Sequence, residues 1–361
     1  MSNVYNFSAG PAMLPRDVMQ QAHDEFFNWQ GRGVSVMEIS HRSADFEALA
    51  LQTKNDLRDL LNIPSNYHIL FLHGGGRTQF SAIPMNFLAD FNSVAYAQTG
   101  YWGRLAAIEA MQYAPVNLVV NTQADGFMTL PLQDTWRDCS DAAYLHYVDN
   151  ETIHGVEFNF IPAVKNAVPL VCDMSSNFLS RPIDVSRFGL IYACAQKNIS
   201  IAGITVVIVR DDLLGRSVMP LTPSILNYGL EVKANSMLNT PPTYPWYLAG
   251  LVFQWIKKQG GVAEIARRNA EKSKVLYDFI DSEPFYVCPV ARHCRSRMNV
   301  FFKTSSAELD AQFITFATTK DLIGLKGHKF SGGIRASIYN AMPMEGVEKL
   351  IALMKKFRVA S

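Results

Sequence analysis

The chain lacks several features that would place it in a class at once. Its 361 residues include five cysteines (Cys139, Cys172, Cys194, Cys288, Cys294) and no C-x-x-C pair. A disulfide framework or zinc ribbon is therefore excluded, no metal site is expected, and a reducing compartment fits. Lys and Arg number 33 against 32 Asp and Glu, a balance that argues against a nucleic-acid binder or a membrane-surface protein. The longest apolar stretch, near 201–209, is about half of what a membrane span requires. No basic segment followed by an apolar one opens the sequence, so no secretory signal is read and a cytoplasmic protein is expected. Internal repeats and low-complexity tracts are missing, as are G-x-x-x-x-G-K-[ST] and G-x-S-x-G. A P-loop and a serine-hydrolase elbow thereby lose their support.

What remains is a chain built to bury a large core, with 48% apolar and 18% charged residues. Apolar residues at helical spacing (Val18, Ala22, Phe26, Trp29) predict a helix over 14–29 with Pro15 at its first position. Phe46, Leu49, Ala50, Leu57, Leu60 and Leu61 predict a second, stopped by Asn62-Ile63-Pro64. Short continuous apolar runs follow at 68–72, 94–98, 116–120, 143–148, 168–172, 190–195 and 204–209. Strands of that kind belong to sheets covered on both faces. The expectation is an α/β protein with a mostly parallel seven-stranded sheet and helices on both sides, spanning residues 16–260. Beyond it, a helix near 262–281, strands near 296–302 and 334–339 and a final amphipathic helix predict a smaller α+β domain. That domain takes residues 261–361 together with the N-terminal segment 1–15.

Ligands in open α/β sheets bind beyond the carboxyl ends of strands, so the residues there carry the chemistry. The first run leads into His73-Gly74-Gly75-Gly76-Arg77, either a tight turn or a cradle whose N–H groups meet an anion at a helix start. The second leads into Tyr101-Trp102, core filling or a platform for a planar ligand. Asp173 follows the fifth run, as a turn cap or as a carboxylate that must find a partner. Lys197 follows the sixth, either snorkelling outward or serving as a desolvated amine that attacks a carbonyl. In this order the four match what pyridoxal phosphate requires: an anion site, a ring-face contact, an acid for the pyridine nitrogen and a Schiff-base lysine.

The sequence resembles the phosphoserine aminotransferases, class-V pyridoxal-phosphate enzymes of aminotransferase fold type I, nearly end to end. Asn6-Phe7-Ser8-Ala9-Gly10-Pro11-Ala12, Ile39-Ser40-His41-Arg42, His73-Gly74-Gly75-Gly76-Arg77, Ala195-Gln196-Lys197-Asn198, Asn239-Thr240-Pro241-Pro242-Thr243 and the segment from Gly333 to Ala341 carry the likeness. The resemblance implies Lys197 as the cofactor's lysine and proton carrier, Asp173 on the pyridine nitrogen, Trp102 on the ring and Thr152 near its phenolic oxygen. It also implies that Gly76, Arg77 and Gln196 hold the cofactor phosphate, completed by Asn239 and Thr240 of the neighbouring subunit in a homodimer. For the substrate it implies Arg335 on the α-carboxylate, with His41, Arg42, Arg77, His328 and Lys329 on the phosphate. The implied reaction exchanges an amino group between glutamate and 3-phosphohydroxypyruvate, in serine biosynthesis. A longer phosphorylated oxo acid on the route to pyridoxine is implied as a second substrate.

Three positions depart from the family pattern: Ala9 replaces a serine, Lys329 stands where arginine is common, and Ser200-Ile201 replaces Gly-Pro after the lysine. Lysine keeps the charge at 329 but loses bidentate geometry, and the turn at 200 must form with residues that tolerate positive φ poorly. Competing readings are a cysteine desulfurase or lyase, with Cys288 or Cys294 as thiol, an α/β hydrolase using the His73 segment, or a non-enzymatic anion binder. The charge is also uneven. Residues 261–361 carry 16 Lys and Arg against 10 Asp and Glu, or +6, and residues 1–260 carry 17 against 22, or −5. The basic tail holds His328, Lys329 and Arg335.

Overall fold

A computed structural model describes residues 4–360. Each of the seven apolar runs forms a strand: β1 (Tyr67–Gly74), β2 (Val94–Gln98), β3 (Val116–Asn121), β4 (Leu145–Val148), β5 (Leu170–Asp173), β6 (Leu190–Cys194) and β7 (Gly203–Arg210). They make one sheet in the order β1-β7-β6-β5-β4-β2-β3. The pairs from β6 to β3 are parallel, and β7 runs antiparallel to both β6 and β1. Alternate residues of one strand enter two different apolar clusters. Ile69, Phe71, Ala95, Leu145, Cys172, Ile191 and Val206 face one, whereas Leu70, Leu72, Val94, Tyr96, Val171, Leu190 and Val207 face the other. Because the side-chain period is two, both faces are dry and the runs read as continuously apolar.

Helices cover each face. On the first lie α2 (Ala44–Leu61) and α5 (Thr243–Lys258), where the Trp246 ring stacks on Phe71 of β1 at 4.7 Å. On the second lie α3 (Gly76–Phe87) and α4 (Tyr101–Ala110), through Phe80, Ile83, Ala106 and Ala107. Ser43 caps α2 by accepting from the Phe46 N–H, and Asn62 ends it in the left-handed conformation, φ 49°. The first helix, α1 (Arg16–Asp24), is shorter than its spacing predicts. Pro15 precedes it in extended geometry, and beyond Asp24 a turn takes over in which Asn28 accepts from the Gly33 N–H and Trp29 donates to Val34. Trp29 is still buried, but from that turn.

A third apolar cluster gathers Phe7 with Leu276, Ile280, Phe302, Phe313, Ile334, Val347 and Met354. It is built on α6 (Gly261–Ser282), the antiparallel pair β8 (Asn299–Phe302) and β9 (Ile334–Ser337), α7 (Ala307–Thr318) and α8 (Met344–Ala360). Tyr5–Asn6 pairs in parallel with Leu322–Ile323, which explains how Phe7 enters this cluster. Helix α6 contributes to two clusters, with Val262 and Ile265 in the first and Leu276 and Ile280 in the third. No helix of the described residues is long and apolar enough to cross a membrane.

Candidate active site

The carboxyl ends of β1, β2, β4, β5 and β6 open onto one cavity of about 460 Å³, a size suited to a small ligand. Its wall includes Gly75, Gly76, Arg77, Trp102, Thr152, Asp173, Gln196, Lys197, His328 and Arg335. Each arrives by a local device. Strand β1 ends at Gly74, whose φ of +94° and close approach to the Thr78 hydroxyl suit only glycine. Gly75 then leads into α3 with no side-chain cap, so first-turn N–H groups at Gly76 remain for an anion. Trp102 sits in the first turn of α4. Asp173 is the last residue of β5 and accepts from the Ser175 N–H at 2.8 Å.

Lys197 stands in a tight turn after β6, where the Ala195 carbonyl accepts from the N–H groups of Lys197, Ile199 and Ser200. Its Nζ donates to Thr152 Oγ1 at 2.9 Å. The departure at Ser200-Ile201 costs no backbone strain, because neither residue takes a positive φ. Ser200 Oγ donates to the Pro245 carbonyl at 2.7 Å and ties the turn to α5. At position 9 the Ala9 carbonyl accepts from Tyr339 Oη at 2.7 Å.

Burial raises the Asp173 carboxyl above its ordinary range, against hydrogen bonding from Ser175 and the nearby Lys197 charge. Arg335, on β9, loses hydration and is pushed below the usual guanidinium range by burial. Its Nη1 donates to the Thr152 carbonyl at 3.4 Å. Burial also lowers His328, with Arg335 and Lys329 adding to that effect. Arg335 Nε and Trp102 Nε1 are both buried at the cavity wall without a protein partner, so both donors remain free for a bound group.

Five expected residues lie outside this cavity. His41 and Arg42 line a separate hollow with Lys54, Asn235, Met237 and Leu238, and His41 Nε2 is buried there without a partner. Asn239 and Thr240 follow directly and are exposed; the Thr240 carbonyl accepts from His73. Lys329 is exposed too, its Nζ 5.2 Å from the centre of the Phe330 ring. Residues the sequence did not single out include Ser175, which accepts from the Cys194 N–H through its hydroxyl at 3.1 Å, and Glu151. Glu151 left one signal, an acid directly before Thr152 in a segment that follows a buried strand. The thiols of Cys288 and Cys294 are not part of the cavity wall, and burial pushes both upward, Cys294 to about 11. They do not suit nucleophilic work.

The donor set fits pyridoxal phosphate. An uncapped helix start with Arg77 would suit a phosphate, an indole a ring face and a buried carboxylate a pyridinium, while the amine is held at a hydroxyl. The aminotransferase class-V family matches residues 4–350. The phosphoserine aminotransferase of Laribacter hongkongensis is 54% identical over 98% of both chains, and that of Coxiella burnetii is 52% identical over 99% of both. Among solved structures, pyridoxal-phosphate-bound phosphoserine aminotransferase from Trichomonas vaginalis superposes with a TM-score of 0.94 at 44% identity, covering 98% of this chain and 100% of that one. The enzyme from Bacillus circulans subsp. alkalophilus gives 0.96 at 42%, covering 99% of each. The chain belongs to the class-V aminotransferases and, within them, to the phosphoserine aminotransferase family.

Proposed function

We propose that this protein is a phosphoserine aminotransferase that moves an amino group reversibly between glutamate and 3-phosphohydroxypyruvate, giving phosphoserine and 2-oxoglutarate. One observation carries the reading: a single cavity gathers Gly76, Arg77, Trp102, Thr152, Asp173, Gln196, Lys197 and Arg335, from five strand ends and a distant second sheet. Bound there, pyridoxal phosphate supplies an electron sink for electrons left at the substrate Cα. Gly76, Arg77 and Gln196 hold its phosphate, Trp102 covers its ring, and Asp173 holds a proton on the pyridine nitrogen. Thr152 orients Lys197 Nζ, which would take the proton from the substrate Cα and hold it as the amine's own. Arg335 forks onto the substrate carboxylate, where its geometry favours two parallel hydrogen bonds. His328 and Lys329, with Arg77, meet the substrate phosphate.

The site is completed by a second copy. His41 and Arg42 share a hollow with residues that lead directly to Asn239 and Thr240, so all four lie along one stretch of surface. As a homodimer, the partner subunit's Asn239 and Thr240 reach the cofactor phosphate, and the partner subunit's His41 and Arg42 reach the substrate phosphate. A native mass of twice the chain is expected in sedimentation; a monomer with full activity would overturn the arrangement. The longer phosphorylated oxo acid of pyridoxine synthesis is a second substrate, and the enzyme acts in the cytoplasm. The chain divides at residue 260, with segment 1–15 joining the C-terminal part, as the pairing of Tyr5–Asn6 supports.

Glutamate alone tests the reaction class. Added to the yellow holoenzyme, it is expected to bleach the visible band and release one 2-oxoglutarate per active site. A cysteine desulfurase or lyase would not perform that half-reaction, and a colourless protein indifferent to borohydride would point to a hydrolase or an anion binder.

A further inference from the structure

Glu151 is fully buried, and its role is not explained by cofactor or substrate contact. It lies in a two-stranded turn, Asn150–Glu151 against Val156–Glu157, directly before Thr152. Its two oxygens accept from the backbone of α4: Oε2 from the Trp102 N–H at 3.0 Å and Oε1 from the Gly103 N–H at 2.7 Å. The helix leaves room for it on purpose. A Cβ on Gly100 would stand 2.2 Å from Glu151 Cδ, and one on Gly103 would stand 3.2 Å from Oε1 and 3.0 Å from the Ala97 carbonyl. Gly100 is thus required by this side chain, and Gly103 by the Ala97 carbonyl together with it, although neither has a positive φ. Burial pushes that carboxyl up to about 7 against the pull of the Gly103 and Trp102 N–H groups; Asp173 raises it further and Lys197 lowers it. The group is therefore within electrostatic reach of both.

We infer that Glu151 is a positioning residue for the amino transfer: it locks the first turn carrying Trp102 to the segment carrying Thr152. The indole and the hydroxyl that holds Lys197 Nζ are then set relative to each other by one rigid link. The geometry is bidentate, so it fixes orientation as well as distance. This rests on the aminotransferase reading, since the two linked groups are those that meet the cofactor ring and the lysine.

Glu151→Gln tests it in the full-length protein loaded with pyridoxal phosphate. The amide keeps the size of the side chain but turns one acceptor into a donor facing an N–H. Exchange of the Trp102 and Gly103 amide hydrogens in the apoprotein is expected to quicken at least about tenfold. The dissociation constant for pyridoxal phosphate is expected to rise about tenfold, with loss of visible circular dichroism from the bound cofactor. Unchanged dichroism and cofactor affinity would overturn the proposal, even if the variant melted earlier, because a merely structural role predicts that result. Should Glu151→Gln fail to fold, Gly100→Ala presses on the same side chain, whose atoms are the three nearest to the added Cβ, without removing its charge, and the same readings decide. Wild-type protein that takes up no pyridoxal phosphate would overturn both this inference and the aminotransferase reading. A loaded wild type with an unaltered Glu151→Gln overturns this inference alone.

Discussion

Lys197→Ala is expected to lower turnover by on the order of 10⁴-fold, at the upper end of what one positioned acid–base group contributes. Among the residues lining the cavity, Lys197 carries the one amine. The neighbouring cations Arg77 and Arg335 are guanidinium groups, which do not give up a proton and so cannot substitute as a base. The Nζ is also aimed, since Thr152 Oγ1 holds it at 2.9 Å. On the proposed mechanism, removing the amine takes away both the cofactor's anchor and the proton carrier, whereas binding of the phosphorylated acid should persist. Rapid-mixing measurements with glutamate check this, and near-normal steady-state activity would sink the assignment. Thr152→Val should give a smaller loss, because it disturbs the orientation of Nζ and leaves the amine in place.

The second large effect falls on stability. Arg181→Met is expected to destabilise the protein by about 3–5 kcal/mol. Arg181 reaches Asp149 Oδ2 at 2.7 Å and Glu157 Oε1 at 3.8 Å, and both carboxylates are almost wholly buried. Glu157 keeps Arg297, whose Nη2 donates at 2.7 Å. Asp149 keeps only neutral donors, Asn177 and Tyr147. Methionine fills the volume but leaves the Asp149 charge uncompensated, which is why removing one partner costs more than the pair contributes.

Burial already raises the Asp149 carboxyl, and Arg181 is the main group that lowers it. Without the arginine its folded-state value rises further. A carboxyl raised on folding contributes stability that is present below its unfolded value and is lost as pH rises through the folded one. The deficit of Arg181→Met should therefore be greatest near neutrality and shrink as pH falls toward the carboxylate range, at about 4. Urea denaturation at several pH values measures this. Adding Asp149→Asn should recover much of the loss, and a deficit that does not change with pH or with that second substitution would refute the account.

The network matters for function because Asp149 and Glu157 flank the turn that presents Thr152 and Glu151. Asp149 also joins that turn to β5, its N–H donating to the Asp173 carbonyl at 3.0 Å. The acid expected at the pyridine nitrogen and the hydroxyl that aims Lys197 are thus parts of one buried frame.

Much of this was legible along the chain. Seven apolar runs became seven strands because a strand covered on both faces has no polar positions to interrupt it. Asp173 and Lys197 stood out because a charge at the end of such a run must have a partner. Helix α1 ends at Asp24, short of what its spacing predicts, since Phe26 and Trp29 keep helical spacing while Asn28, Gly31 and Gly33 favour a turn that competes with it.

The apolar runs, the order of the chemical groups along them and the family likeness of the motifs can all be read along the chain. These are local properties, written in hydrophobic period and in residue type at strand ends. Which cations meet in one place follows from the fold alone. Of the basic C-terminal residues, His328 and Arg335 enter the cavity while Lys329 stays exposed against Phe330, and His41 and Arg42 open a separate hollow. Only the structure, too, showed that Gly100 and Gly103 make room for a buried carboxylate. Such a contact joins residues about fifty positions apart, and no local pattern records it, because its cause is the packing of one backbone against another.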